Sequence, residues 1–308
     1  MKILLTGSNG LVGKNILDNL KSKQYDFLAP SSSELNLLNH QKVNKYLKNN
    51  KPDLIIHAAG LVGGIEANIK NPTEFLLSNT NIGLNLINSA LENNITNFLN
   101  LGSSCIYPKD AKNPLKEDSI LNGKLEPTNE GYALAKIVTL KLCEYISLTE
   151  SNKLYKTVIP CNLYGKFDNF DPKSSHMIPA VIRKIYKAHI NKEDSIEIWG
   201  DGKSRREFMP ASSFADFIFY AIENFIKMPQ NLNVGLGFDF SILDYYKEIA
   251  SVIGYKGNFV HDMSKPTGMK QKLVDIQKLS KFGWENKISL KDGLTEAYDF
   301  YKGSIDEI

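Results

Sequence analysis

The chain opens with a short apolar run, residues 2–6, that leads directly into three glycines at positions 7, 10 and 13 and then into a helical pattern. A turn this tight requires residues without a Cβ atom, and the following helix presents unpaired N–H groups and a partial positive charge to a pyrophosphate. A phosphate-hydrolysing P-loop is excluded, because Asn15 stands where a magnesium-binding hydroxyl is needed. The turn therefore predicts a dinucleotide site.

Short β-rich runs alternate with longer amphipathic stretches after this turn, which is typical of a parallel sheet covered by helices on both faces. The predicted strands are residues 2–6, 26–29, 53–57, 97–101 and 155–159. After about Gly165 the alternation of strands and helices becomes less regular, with helical patterns at 175–189, 212–225, 241–253 and 291–301. We predict an α/β chain: a Rossmann-type, doubly wound nucleotide-binding domain over 1–165, to which later segments return, and a smaller C-terminal α/β substrate lobe over 166–308.

Composition narrows the possible partners. The 308 residues carry 37 basic and 34 acidic side chains, and a net charge of +3 is too small to predict a nucleic acid or a membrane as partner. The three cysteines have no paired spacing, which fits a reducing compartment and predicts neither disulfides nor a metal site. No apolar stretch approaches the ~20 residues of a membrane span, so we expect a cytoplasmic protein.

Tyr132 and Lys136 lie one helical turn apart and share a helix face. An ammonium beneath a phenol favours its ionised form, so this pair predicts a tyrosine of lowered pKa that gives a proton to a carbonyl oxygen. The spacing recurs by chance in a chain with 14 tyrosines, and Tyr298 with Lys302 matches it too. Ser103 distinguishes the first pair, since it follows the fourth predicted strand, at the sheet edge where ligands of such sheets bind.

Several longer strings in the chain resemble those of GDP-L-fucose synthases, which belong to the extended short-chain dehydrogenases/reductases. The strings are 62–65 (VGGI), 101–109 (LGSSCIYPK), 125–136 (LEPTNEGYALAK), 162–165 (NLYG) with 168–170 (DNF), 175–180 (SHMIPA) and 206–208 (REF). They follow the family order along nearly the whole chain. The resemblance implies NADPH-dependent reduction at C4 of a GDP-linked 4-keto-6-deoxy sugar, coupled to epimerisation at C3 and C5, in a homodimer that pairs through helices of the nucleotide lobe.

The resemblance also implies roles for individual residues. Ser103, Tyr132 and Lys136 match the reductase triad, and Cys105 and His176 match the pair that exchanges protons at C3 and C5. The implied cofactor contacts are Gly7, Asn9, Gly10, Leu11, Val12, Gly13, Ser32, Ala58, Ala59, Leu101, Gly102, Tyr132, Lys136, Pro160, Asn162, Leu163 and His176. The implied substrate contacts are Ser104, Asn162, Lys184, Trp199, Arg206 and Thr267.

The chain departs from the family pattern at both ends of the site. Serines at 31–33 and Asn9 stand where the family usually has arginines that hold the 2′-phosphate of NADP, so NADPH is favoured by the resemblance alone and NADH stays open. Near the sugar, the usual Lys-Pro-Asp-Gly is 265–268 (KPTG), a usual arginine is Lys184, and a usual proline is Gly131. Loss of the carboxylate that would bind a hydroxyl or a base changes the free energy of substrate binding by roughly 1–3 kcal/mol. A related sugar such as a 4-keto-6-deoxy-heptose therefore also fits.

Three alternatives remain open from the sequence. The first is a C4-reductase without epimerase activity that acts on such a GDP-linked heptose. The second is a nucleotide-sugar 4-epimerase or dehydratase; the former returns its hydride, and the latter is expected to carry an acid/base pair in place of Ser104 and Cys105. The third is a dinucleotide sensor without catalysis, which has no need of Ser103, Tyr132 and Lys136 together.

Overall fold

The computed structural model describes residues 1–172, 174–264 and 269–306. Its strands are β1 (Lys2–Thr6), β2 (Asp26–Leu28), β3 (Leu54–His57), β4 (Asn97–Leu101), β5 (Leu154–Pro160), β6 (Asn162–Tyr164), β7 (Ser195–Trp199), β8 (Arg205–Arg206), β9 (Phe208–Pro210), β10 (Asn231–Val234), β11 (Phe240–Ser241), β12 (Asn258–Asp262) and β13 (Gln271–Lys272). Its α-helices are α1 (Leu11–Asp18), α2 (His40–Asn50), α3 (Ile65–Lys70), α4 (Pro72–Glu92), α5 (Glu130–Thr149), α6 (Met177–Asn191), α7 (Ala211–Glu223), α8 (Ile242–Ile253), α9 (Gln277–Phe282) and α10 (Leu290–Asp306).

A six-stranded sheet in the order β10-β5-β4-β3-β1-β2 forms the centre of the molecule, and every neighbouring pair in it is parallel. The predicted α/β, doubly wound fold is confirmed, and its first five strands lie within one residue of the predicted bounds at each end. The chain leaves β1 for β2 on one side and returns for β3 on the other. This change of direction opens a crevice at the carboxyl ends of the strands, where ligands of such sheets bind.

The two faces of the sheet bury separate cores because successive side chains of a strand point in opposite directions. Ile3 and Leu5 of β1 lie in one core, with α1 and α7, whereas Leu4 lies in the other, with α2 and α4. Continuous apolar runs such as 54–56 fit this double burial, since each residue meets a helix on one face or the other.

Helices α4 and α5 approach each other closely through two glycines. A Cβ atom on Gly83 would lie 2.1 Å from Cγ2 of Thr139, and one on Gly131 would lie 2.7 Å from the carbonyl oxygen of Pro72. Any side chain at 131 would therefore push apart the starts of the two helices. Gly131, where the family usually has a proline, therefore lets the start of α5 pack closely against α4, one residue before Tyr132.

The later part of the chain contributes to both lobes. Helix α7 packs against α1, and β10 forms one edge of the central sheet, although the sequence analysis did not predict that strand. Helices α6, α8 and α10 instead enclose a separate core that includes Tyr164, Ile198 and Tyr245. In the described residues there is no helix long and apolar enough to cross a membrane and no cluster of side chains suited to a metal ion.

Candidate active site

The glycine turn after β1 is closed on itself so tightly that side chains cannot enter it. Gly7 has a φ of +72°, and a Cβ atom there would lie 2.7 Å from the backbone of Ala58. A Cβ atom on Gly13 would lie 2.3 Å from the carbonyl oxygen of Gly7. Helix α1 begins behind this turn with no side-chain cap at Gly10. The turn thus leaves the first N–H groups of α1 open to an anion, which suits a dinucleotide pyrophosphate.

The other predicted cofactor residues lie at the same edge of the sheet. Ala58 and Ala59 follow β3, Leu101 ends β4 and is followed by Gly102, and Pro160 ends β5. Asn162 and Leu163 begin β6, and Asn162 donates a hydrogen bond to the carbonyl oxygen of Glu207 at 3.1 Å. The turn residues Leu11 and Val12 open α1, and Asn9 is exposed. One crevice therefore contains these residues.

The loop after β2 is joined to the glycine turn. The buried Ser8 hydroxyl donates to the carbonyl oxygens of Ala29 and Pro30, at 3.2 and 3.3 Å. Beyond Pro30, the Glu34 carboxylate accepts from the Ser31 backbone N–H and hydroxyl, and these hydrogen bonds lower its pKa. Ser32 is exposed beside this carboxylate.

Ser103, Tyr132 and Lys136 meet where β4 ends. A hydrogen bond from Ser103 to the Tyr132 phenol links the first two, and the Lys136 ammonium lies 5.8 Å from the centre of the Tyr132 ring. Lys136 donates to the carbonyl oxygen of Leu101 at 2.9 Å, which ties α5 to β4. Phe75 of α4 packs edge to face on the Tyr132 ring. The phenol is thus held at the sheet edge from three sides.

The expected lowering of the Tyr132 pKa is wrong for this arrangement. Burial raises the pKa of the phenol, and the neighbouring Cys105 raises it further, which together outweigh the hydrogen bond from Ser103. Lys136, whose own pKa is lowered by burial to about 8, does not reverse this. Tyr132 is therefore a neutral phenol at neutral pH, and a neutral phenol is the form that can donate a proton to a ketone oxygen.

Cys105 lies beside Tyr132 and Lys136, whereas His176 lies at the start of α6. Cys105 lies on a 3₁₀ turn, Ser104–Ile106, directly after Ser103, and burial raises the pKa of its thiol. His176 caps the start of α6, and the carbonyl oxygen of Ser175 beside it faces Gly64 of the VGGI string. Part of His176 is exposed to solvent, while the surrounding protein desolvates the imidazole and lowers its pKa. Burial therefore favours the neutral thiol of Cys105 and the neutral imidazole of His176.

The predicted substrate residues spread along the second lobe. The Lys184 ammonium donates to the Glu197 carbonyl oxygen at 2.5 Å, and the exposed Trp199 indole donates to the Glu197 carboxylate at 2.9 Å. Arg206, on β8, is half-buried, and that burial lowers its pKa. Its neighbour Arg205 forms an ion pair with Asp239 at 2.7 Å. Ser104 is buried beside Cys105, and Thr267 lies outside the described residues.

Comparison with known proteins assigns the family. Residues 3–235 match the NAD dependent epimerase/dehydratase family. The chain belongs to this family. Within it, the chain is 60% identical over 301 residues to the GDP-L-colitose synthase of Yersinia pseudotuberculosis, with 98% of each chain covered. It is 47% identical over 300 residues to the GDP-L-fucose synthase of Azorhizobium caulinodans, covering 97% of this chain and 96% of that protein. The resemblance drawn from the strings is confirmed.

A solved structure of the family has the same fold. The GDP-mannoheptose C4 reductase from Campylobacter jejuni, determined with NADP bound, superposes with a TM-score of 0.89 at 31% identity, with 98% of each chain covered. This likeness extends over the nucleotide lobe and the second lobe together. It supports treating the glycine turn and the site at β4 as parts of one active site.

A group of residues around Cys105 was not predicted from the sequence. A cavity of about 30 Å³ is lined by Ser104, Cys105, Tyr107, Leu115, Glu126, Asn129, Met269 and Lys272. Glu126 and Asn129 lie in the string 125–136, where only Tyr132 and Lys136 attracted attention. Lys272 lies in a strand of two residues, which has no periodicity to mark it. Only the tertiary structure brings it to Cys105.

Proposed function

We propose that the chain reduces the C4 ketone of a GDP-linked 4-keto-6-deoxy sugar with NADPH, after epimerisation next to that ketone. One observation carries the proposal: a neutral phenol, hydrogen-bonded by Ser103 and fixed above Lys136, lies at the sheet edge that contains the glycine turn. The glycine turn would hold the pyrophosphate of the dinucleotide, which supplies hydride. The names of the relatives and the NADP bound in the Campylobacter structure support this choice of substrate and cofactor.

The reductase residues have separate tasks. Tyr132 donates its proton to the ketone oxygen as that oxygen gains negative charge, and Ser103 hydrogen-bonds the same oxygen. The phenolate that results is stabilised by the Lys136 ammonium, which the Leu101 carbonyl oxygen holds in place. Burial keeps Tyr132 neutral before proton transfer, so the Lys136 ammonium is needed only for the phenolate that forms afterwards.

The epimerisation residues work on the carbons beside the ketone. Hydrogens at C3 and C5 are acidified because the electrons left by proton removal pass to the C4 oxygen as an enolate. Inversion requires one group to remove a proton from one face and a second group to return a proton to the other face. Cys105, after β4, and His176, at the start of α6, would be the two groups of this exchange.

The second lobe would hold the GDP part. His176 and Lys184 are eight residues apart at the start and middle of α6, which corresponds to about 12 Å along a helix. That distance suits a diphosphate between a sugar at His176 and a nucleoside near Trp199. Lys184 and Arg206 supply positive charge for the diphosphate, and the exposed indole offers a flat surface for the base.

The relatives favour a hexose over a heptose as the sugar. Identity is 60% and 47% to the colitose and fucose synthases, against 31% to the heptose reductase. L-Colitose is the 3-deoxy form of L-fucose, so its precursor needs inversion at C5 alone.

Incubation with GDP-4-keto-6-deoxymannose, its 3-deoxy analogue and the heptose ketone, followed by NADPH absorbance in heavy water, tests the proposal. NADPH consumption with none of the three would refute it, and label at neither C3 nor C5 would leave a simple reductase.

The pH dependence of reduction is expected to follow Lys136. Its pKa of about 8 lies below the usual lysine value because of burial, so the ammonium loses its proton as pH rises above that value. We expect kcat/KM for the keto sugar to fall roughly tenfold per pH unit above about pH 8. A Lys136→Met variant should be slow and lack this inflection. A rate in the unsubstituted protein that stays level to pH 10 would contradict the role of the ammonium.

The chain is proposed to act as a homodimer in the cytoplasm. Helices α4 and α5 expose the apolar side chains of Leu77, Leu134, Val138, Tyr145 and Leu148. Four of these recur on one face of α5, which suits packing against the same helices of a second copy. All three cysteines are free, as in proteins of reducing compartments.

The dimer can be tested with two equally exposed residues. Leu148 and Ile226 are each 82% exposed, but only Leu148 belongs to the α5 face. We expect light scattering to give twice the chain mass for the unsubstituted protein and for Ile226→Glu. Combining Leu148→Glu with Val138→Glu should give the mass of one chain. An unchanged mass for the double variant would exclude this face.

A further inference from the structure

The cavity beside Cys105 brings together charged groups that the proposed reaction has not used. It has a volume of about 30 Å³, enough for one or two water molecules, and Lys272, Glu126 and Asn129 line it with Cys105. The side-chain oxygen of Asn129 is buried and has no hydrogen-bond partner within the described parts of the chain. The wall of the cavity therefore includes polar groups besides the thiol.

Lys272 is held firmly beside this cavity. Its strand, β13, pairs in parallel with β8, and Lys272 lies in register with Arg206. The two residues after it are anchored: Leu273 N–H donates to the Asn113 side chain at 2.8 Å, and Val274 N–H donates to the Glu207 carboxylate at 3.0 Å. These backbone contacts thus fix the position of the Lys272 Cα atom, from which its side chain extends.

Groups from every element around Cys105 and Lys272 exert an electrostatic influence on these two residues. They are Lys272 and Arg206 from β13 and β8, Lys136 and Tyr132 from α5, Ser103 from the end of β4, Glu126 before α5, and Cys161 after β5. Lys136 is already engaged with the Leu101 carbonyl oxygen. Arg206 carries the predicted diphosphate contact. Lys272 is the cation that shares the cavity with the thiol.

We propose that Lys272 is a positioning residue for epimerisation, which holds an ammonium in the cavity beside Cys105 and stabilises its thiolate. This inference rests on the proposed function, since it gives Lys272 a part in the proton exchange and none in hydride transfer. It also separates the three cations of the site: Lys136 serves Tyr132, Arg206 serves the diphosphate, and Lys272 serves Cys105.

The charge balance of the step explains why such a cation is needed. When Cys105 acts as base, the C–H bond breaks, its electron pair moves to the C4 oxygen, and an S–H bond forms on a sulfur that was negative. When Cys105 acts as acid, the S–H bond breaks and the sulfur becomes negative. The thiolate is an end state in both directions. Burial raises the pKa of this thiol, and Lys272 is the strongest opposing influence on it.

A titration of the thiolate tests the inference without any turnover. Thiolate ultraviolet absorbance, taken as the difference between each protein and its Cys105→Ser form, reports this one sulfur. We expect Lys272→Met to move the titration upward by about one pH unit or more, and Lys272→Arg, which keeps the charge, to restore it. Lys270→Met, the same change at an exposed residue nearby, should leave it in place. A Lys272→Met titration that coincides with that of the unsubstituted protein would overturn the inference.

Deuterium exchange then separates this inference from the proposed function. At saturating sugar and neutral pH, Lys272→Met is expected to slow the entry of deuterium at C5 about tenfold or more. Reduction of a ketone already inverted at C5 should change by no more than about twofold, because Tyr132 is unaffected. If the unsubstituted protein admits no deuterium, the proposed epimerisation fails, whereas equal rates of entry in both proteins would count only against Lys272.

Discussion

Replacing Tyr132 with phenylalanine is expected to slow reduction of the keto sugar by roughly 10² to 10⁴-fold, the usual contribution of a positioned acid. The same variant should still admit deuterium beside the ketone, because Cys105 and His176 are intact. NADPH absorbance measures the first effect, and mass spectrometry of the sugar measures the second. The two readouts are expected to separate within one protein.

The physical reason lies in how the phenol is held. Loss of its hydroxyl removes the proton donor and the hydrogen bond with Ser103, but leaves the ring against Phe75 and the start of α5 in place. The fold should therefore survive, and the loss should appear in kcat rather than in the binding of the sugar.

Tyr298 provides a matched control, because it also has a lysine four residues later. It lies on α10 and packs on Tyr186 in the core of the second lobe. Tyr298→Phe should reduce the sugar at the normal rate. A Tyr132→Phe protein that keeps its reductase activity, or that loses reduction and deuterium entry together, would contradict the division of labour described here.

Replacing Cys105 with serine is expected to slow deuterium entry at the epimerised carbon by about 10² to 10⁴-fold. A hydroxyl holds its proton far more strongly than a thiol, so the exchange partner of His176 is lost while the volume changes little. Reduction of a ketone supplied with its stereocentre already inverted should continue, since Ser103, Tyr132 and Lys136 are unchanged.

Cys143 serves as the control for this change. It lies on α5 and is buried, and burial raises the pKa of its thiol as it does for Cys105. Cys143, however, belongs to the core on the other face of the central sheet. Cys143→Ala should keep both activities. Equal deuterium entry in the Cys105→Ser and unsubstituted proteins would show that another group exchanges the proton.

Local patterns were enough to predict the first five strands and the glycine turn. Continuous apolar runs fixed β1, β3 and β4, and glycine spacing fixed the turn before α1, because both depend on neighbours in sequence. The spacing of Tyr132 and Lys136 placed them on one helix face for the same reason, and the strand before Ser103 placed it at the sheet edge. β10 was not predicted, since NLNV has little to mark it as a strand until β5 lies beside it.

Electrostatics and long-range contacts could not be predicted in this way. The spacing of Tyr132 and Lys136 suggested a lowered phenol pKa, but burial by distant segments decides its direction. Arg205 of β8 pairs with Asp239, a contact that the sequence of a two-residue strand does not reveal. Lys272 meets Cys105 across more than half the chain, so only the folded structure shows their cavity.

Transfer of a labelled hydride measures the central claim most directly. NADPH that carries deuterium at C4 of the nicotinamide, in the transferable position, is incubated with the protein and the GDP-4-keto sugar in ordinary water. If Tyr132 protonates the ketone oxygen as hydride arrives from a dinucleotide whose pyrophosphate lies at the glycine turn, each product molecule carries one deuterium, at C4 of the sugar. A product without deuterium at C4, or with the label spread over C3 and C5, would contradict the account.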